Sequence, residues 1–104
     1  MAPHITCQTT QIPTTLSGVV EGGFLVFADD VLMAAVTRLE RSIGEELEEL
    51  QGRWYLETGY GPCAVAPGSN VLFRSPDEAR AWVLERATRA REAEAHRAMM
   101  ERVP

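Results

Sequence analysis

The chain has 104 residues, a net charge of −5, and ten arginines but no lysine. This length corresponds to one domain, so we take 1–104 as a single α+β domain. The negative charge disfavours binding to phosphate backbones and anionic membranes. The absence of lysine excludes Schiff-base chemistry and the P-loop lysine.

The first segment, residues 1–15, predicts an edge strand or an ordered arm. Ile5 and Thr9 favour β-structure, and Pro3 and Pro13 bracket them. The segment has neither the basic start nor the apolar run of a signal peptide. The chain also contains no run near the ~20 apolar residues of a membrane span. We therefore expect a cytoplasmic protein.

A hairpin followed by a helix is predicted for residues 19–51. Gly22 and Gly23 fit a tight turn before the apolar strand 24–27. Asp29 or Asp30 fits the N-cap of the helix, and Gly52 fits its C-terminal stop. Apolar side chains recur between them at helical spacing: Leu32, Val36, Leu39, Ile43, Leu47 and Leu50.

Three short strands and a long helix are predicted for the second half. In "RWYLET" apolar and polar residues alternate, and "CAVA" and "VLFR" are typical of strands joined by a type II turn at "PGSN". Ser75 and Glu78 form a capping box, and the helix continues to about residue 101. These elements predict an α+β fold, ββαββα-like: an antiparallel sheet of about four to five strands, with two helices packed on one face and a long C-terminal helix.

The segment 87–104 carries only Ala as its apolar residue until position 98. Such a helix buries little area but allows close approach, so it either projects into solvent or dimerises. Met99 and Met100 favour a partner, because exposed Met is adaptable contact surface. We predict a homodimer that uses Ala87, Ala90, Met99 and Met100.

An acidic run, "IGEELEEL", contains Glu45, Glu46, Glu48 and Glu49 near the end of the predicted first helix. Carboxylates there oppose the helix dipole by roughly 0.3–1 kcal/mol each. The run is a solvated face, a patch for a basic partner, or a set of ion pairs with the last helix. Tyr55 and Tyr60 are the other predicted partner-binding residues, because Tyr often anchors binding surfaces.

Reactive groups do not form a motif. His4, Cys7, Cys63 and His96 supply metal-ligand types, but from three distant segments, and two distant cysteines in a reducing compartment are typically free thiols. A second hypothesis is a nucleophile formed by Cys63 with His4 or His96, although no family signature surrounds Cys63. We predict no metal, no cofactor and no enzyme activity.

A hairpin leading into "FRSPDEARAW" is similar to the ββα modules of some phage-type integrases, in which the sheet enters DNA. Those sheets are basic, whereas residues 54–73 here contain neither Arg nor Lys. Because that charge holds phosphates, the resemblance does not imply DNA binding by this sheet.

The sequence therefore predicts a non-catalytic, acidic protein-interaction module. A specific form is an inhibitor or regulator of a nucleic-acid-handling complex, of the kind that phages and other bacterial mobile elements encode. One alternative is a nucleic-acid-binding module with a local patch of Arg74, Arg80 and Arg86. Another is a small enzyme or ligand-binding protein that uses the Tyr60–Cys63 loop.

Overall fold

A computed structural model gives the fold and describes residues 2–13, 20–39 and 52–101. Five strands form one antiparallel sheet in the order β1-β2-β3-β4-β5. The strands are β1 (Ile5–Pro13), β2 (Val20–Ala28), β3 (Val31–Arg38), β4 (Trp54–Gly59) and β5 (Leu72–Phe73). A 3-10 helix at Gly61–Cys63 follows β4, and α1 (Pro76–Glu101) follows β5. The α+β class and the long C-terminal helix are thus confirmed.

The predicted first helix is wrong over residues 31–38, which form β3, and α1 is the one α-helix among the described residues. Among the described residues the predicted two-helix layer is therefore not found. Residues 34–37 are buried on both faces of the sheet. A strand buried on both faces is a continuous apolar run, and periodicity alone does not separate it from a buried helix. The remainder of the predicted helix, at 40–51, lies outside the described residues.

The hairpin turn occurs at Asp29 and Asp30, not at Gly22 and Gly23. Both aspartates have positive φ, 48° and 66°, and Ala28 pairs with Val31 around them. Two central residues of positive φ form the type I′ turn that suits the twist of a hairpin. Asp29 and Asp30, the predicted candidates for the N-cap, are therefore the central residues of this turn.

Gly23 lies inside β2, where the neighbouring strand comes very close. A Cβ at this position would lie 2.1 Å from the carbonyl oxygen of Val36 in β3. Glycine is thus required by strand proximity and not by a turn.

The predicted type II turn is confirmed: Ser69 N–H donates to Ala66 O at 3.1 Å, and Gly68 has φ 85°. The predicted "CAVA" strand is wrong, because Cys63 ends the 3-10 helix and an irregular segment follows it.

The core lies between α1 and one face of the sheet. Ala79 and Val83 of α1 pack on side chains from every strand of that face, including Phe24, Val36 and Phe73. Phe73 also makes an edge contact with Trp82, with ring centroids 5.5 Å apart. Burial of these side chains is the main stabilising term for a fold of this size.

Within the described residues, no helix is long and apolar enough to cross a bilayer.

Candidate interaction surface

The start of α1 is held by its cap. Glu78 N–H donates to Ser75 Oγ at 3.1 Å, which confirms the predicted N-cap. The Glu78 carboxylate accepts a hydrogen bond from Arg74 N–H at 3.3 Å, one residue before the position in an ideal capping box. The cap sets where α1 begins, next to the end of β5.

Arg86 joins the middle of α1 to the loop after β4. Its Nε–H donates to Pro62 O at 2.9 Å, its Nη2 donates to Ala64 O at 3.4 Å, and its guanidinium lies 4.8 Å from the centre of the Trp82 ring. Hydrogen bonds from a charged donor are stronger than neutral ones. Arg86 therefore acts as an internal brace.

Two of the three residues of the predicted Arg patch already form hydrogen bonds within the chain. Arg86 forms this brace, and Arg80 Nη2 donates to Ile5 O at 3.5 Å. Arg74 has an exposed side chain. A guanidinium that already donates to carbonyls of its own chain has fewer donors left for phosphate. This weighs against the nucleic-acid-binding alternative.

A second contact ties α1 to the far corner of the sheet. The Asp29 carboxylate pairs with the guanidinium of Arg91, and it also accepts a hydrogen bond from His4 N–H at 2.9 Å. The His4 hydrogen bond, with Arg91 next, holds the pKa of Asp29 below its usual range. This contact marks the point beyond which α1 leaves the sheet.

Residues 92–101, which we call the α1 end, are exposed at every position. Met99 and Met100 are 69% and 63% exposed. By contrast, Ala87 is buried within the chain and Ala90 is half-buried. Of the four residues predicted for dimerisation, the two methionines are therefore the ones whose surface is available to another molecule.

The two predicted tyrosine contacts have different environments. Tyr55 pairs with Thr37 on the sheet face opposite α1 and is only 8% exposed. Tyr60 is 43% exposed, and its backbone is held by a hydrogen bond from its N–H to Met33 O at 2.8 Å. Tyr60 is thus the more accessible of the pair. Glu45, Glu46, Glu48 and Glu49 lie outside the described residues.

The two cysteine thiols also differ in exposure. Cys63 is fully buried, and burial raises its pKa more than the nearby Arg86 lowers it. Burial also raises the pKa of Cys7, with Arg80 opposing, although Cys7 is exposed beside Thr6 and Asp30 in an open cleft. A buried, protonated thiol is a poor nucleophile. This geometry does not favour the Cys63 hypothesis.

Potential metal ligands are dispersed. Cys63 is in the core and His96 is on the exposed α1 end, far along the helix from the buried residues. Among the residues described, no three side chains of His, Cys, Asp or Glu are placed to hold a metal ion.

Comparison of the chain with protein-family models, with curated proteins and with solved structures gives no match.

Sequence reasoning missed the pairing of Asp29 with Arg91, which are 62 positions apart. It did predict an edge strand or an ordered arm for residues 1–15, and β1 is an edge strand of the sheet, with no charged residue over its nine positions. The Thr- and Gln-rich composition of "ITCQTTQIP" was the available signal for an uncharged edge, but its position in the sheet requires the strand order.

Proposed function

We propose that the chain is a small, non-catalytic, acidic protein-interaction module that inhibits or regulates a nucleic-acid-handling complex in the cytoplasm. The observation that supports this most is the α1 end. Its exposed Met99 and Met100 stand on a helix that the rest of the chain holds at Asp29 and Arg86. A rigid helix with an exposed flexible apolar tip is suited to inserting into a groove of a partner protein.

Charge supports the same type of partner. The net charge of −5 favours basic surfaces, which are common on proteins that handle nucleic acids. Glu45, Glu46, Glu48 and Glu49 contribute four of the fifteen carboxylates. Their role as a second contact rests on the sequence alone. Exposed Tyr60 is a further contact residue in this proposal.

Site-specific photo-crosslinking tests the proposal. A photoreactive residue at position 100 should form a discrete adduct with one protein of a nucleic-acid-handling complex. The same residue at Asp77, at the opposite end of α1, should not. Addition of the purified chain should then lower the activity of that complex.

Matched variants make the test specific. Met99→Glu with Met100→Glu should abolish the adduct formed from a photoreactive residue at Tyr60, whereas Leu84→Glu, at an exposed position before the α1 end, should retain it. Absence of an adduct, or an unchanged activity of the complex, contradicts the proposal. An adduct with nucleic acid supports the Arg-patch alternative instead.

A further inference from the structure

Between Ile5, whose carbonyl oxygen accepts a hydrogen bond from Arg80, and Pro13, the outer edge of β1 lacks the protection that natural sheet edges carry. β1 is nine residues long, runs in unbroken register with β2, and is the last strand of the sheet among the described residues. Its length corresponds to roughly 30 Å. Exposed edges are usually blocked by Lys or other charges, by a bulge or by short length, but this strand has no charged residue and no bulge.

Hydrogen bonds at the start of β1 show which backbone groups face outward. His4 O accepts a hydrogen bond from Asp29 N–H at 2.9 Å, so His4 points its backbone groups toward β2. Backbone groups alternate in direction along an antiparallel strand. The N–H and C=O groups of Cys7, Thr9 and Gln11 therefore point away from β2, as does Ile5 O, which accepts from Arg80.

We propose that this edge pairs with β1 of a second copy of the chain, antiparallel, about a two-fold axis at Thr9. The result is one continuous sheet of ten strands. Thr9 is the middle residue of β1, so an axis there uses the full free length of the strand. Cys7 then lies opposite Gln11 of the second copy, and about six backbone hydrogen bonds form between the copies.

The ends of β1 match this register. The axis at Thr9 places Ile5 opposite Pro13 of the second copy. Pro13 has no N–H to donate, and Ile5 O already accepts a hydrogen bond from Arg80 in its own chain. Pro13 N and Ile5 O are therefore the two positions that form no hydrogen bond between the copies, and neither requires one.

A second copy fits this edge better than a charged partner. A molecule with a net charge of −5 repels its own copies, and approach is least unfavourable along a surface without carboxylates. β1 itself contains no carboxylate, Asp30 of the β2–β3 turn lies beside Cys7 toward one end of it, and a Thr–Thr pair across the axis is favourable. Cys7, Thr9 and Gln11 are exposed, so α1 does not cover the position of the incoming strand.

Charge exchange at position 9 tests the axis. We expect the purified chain to sediment at twice its mass of 11.5 kDa. Thr9→Lys and Thr9→Glu place like charges opposite each other, so each alone should sediment at half that dimer mass. An equimolar mixture of the two should recover the dimer. A monomeric wild-type chain, or a mixture that stays monomeric, overturns the inference.

The α1 end supplies the matched control. Met99→Lys and Met99→Glu should remain dimeric, because the inferred interface is at β1. Dissociation by these variants, with Thr9 variants unaffected, would assign self-association to α1 instead. Circular dichroism verifies that each variant is folded. The experiment uses the purified chain alone, so its outcome is independent of any partner bound through Met99 and Met100.

Discussion

The carboxylate of Asp29 in the β2–β3 turn pairs with the guanidinium of Arg91, 62 positions later on α1. The same carboxylate accepts a hydrogen bond from His4 N–H, just before β1. One side chain therefore connects the first strand, the first turn and the helix. This contact determines how much of α1 is held on the sheet and how much forms the exposed end.

Removal of the Asp29 charge should destabilise the fold in a pH-dependent manner. The lowered pKa of Asp29 in the folded state means that the unfolded state binds a proton first as the pH falls. The stabilisation is thus complete above the ordinary carboxyl pKa of about 4 and is lost as the pH falls through the lowered value. Thermal melts of Asp29→Asn should lie below wild type at neutral pH and converge with it in acid.

Asp30 is the matched control for that measurement. It follows Asp29 in the same turn and has a similar backbone conformation, with φ 66°. Asp30→Asn should leave the melting temperature at neutral pH close to that of wild type, because Asn tolerates positive φ and Arg91 pairs with Asp29. Equal melting temperatures for the two variants would show that the pairing of Asp29 with Arg91 adds nothing to stability.

Gly59→Ala should destabilise the loop that carries Tyr60. A Cβ at position 59 would lie 1.8 Å from Cys63 O, so the 3-10 helix must move. Overpacking of this kind typically costs about 1–3 kcal/mol. Gly22→Ala, which adds a Cβ with nothing within 4 Å, should change the free energy of unfolding much less. Urea denaturation of both variants measures the difference, and equal values would contradict the close approach.

Thr37→Val should stabilise the chain. Thr37 is fully buried, and in the part of the chain that the structure describes its Oγ1 has no hydrogen-bond partner. An unsatisfied buried hydroxyl costs about 1–3 kcal/mol, and valine has the same shape without it. Melting temperature should rise by at least about 4 °C. The exposed Thr58→Val serves as control, and a fall for Thr37→Val would indicate a hidden partner for the hydroxyl.

Arg86→Lys should destabilise the fold although it keeps the charge. Lysine does not reproduce both the hydrogen bonds to Pro62 O and Ala64 O and the contact with the Trp82 ring. We expect a loss of about 1–3 kcal/mol in the free energy of unfolding. Arg89→Lys is the control, because the Arg89–Glu85 pair is exposed and such pairs contribute only about 0.3–0.5 kcal/mol. Similar losses for both would remove the bracing role.

The two thiols should react at different rates. Cys7 is exposed and Cys63 is buried, with a pKa raised by burial, so at neutral pH little of Cys63 is thiolate. A thiol reagent should modify one cysteine in the folded chain and both in denaturant. Cys7→Ser should then show no fast reaction. A fast reaction of Cys63 in that variant would restore the nucleophile hypothesis.

The elements that follow from local sequence are those whose hydrogen bonds close within a few residues. The Ser75 cap, the length of α1 and the Ala66–Ser69 turn belong to this class. Each depends on side chains and backbone groups three or four positions apart, which composition and spacing reveal. The exposure of Met99 and Met100 follows in the same way, because no apolar stripe surrounds them.

Only the tertiary structure decides the state of residues 31–38 and the composition of the surface. Val31–Arg38 is apolar at spacings that suit a helix, yet it is a strand because β2 and β4 pair with it on both sides. The pairing of Asp29 with Arg91 and the burial of Tyr55 and Cys63 also depend on contacts between distant segments. Contacts between distant segments stabilise a strand only when those segments meet in the folded chain. The local secondary-structure propensity of a segment therefore does not reveal them.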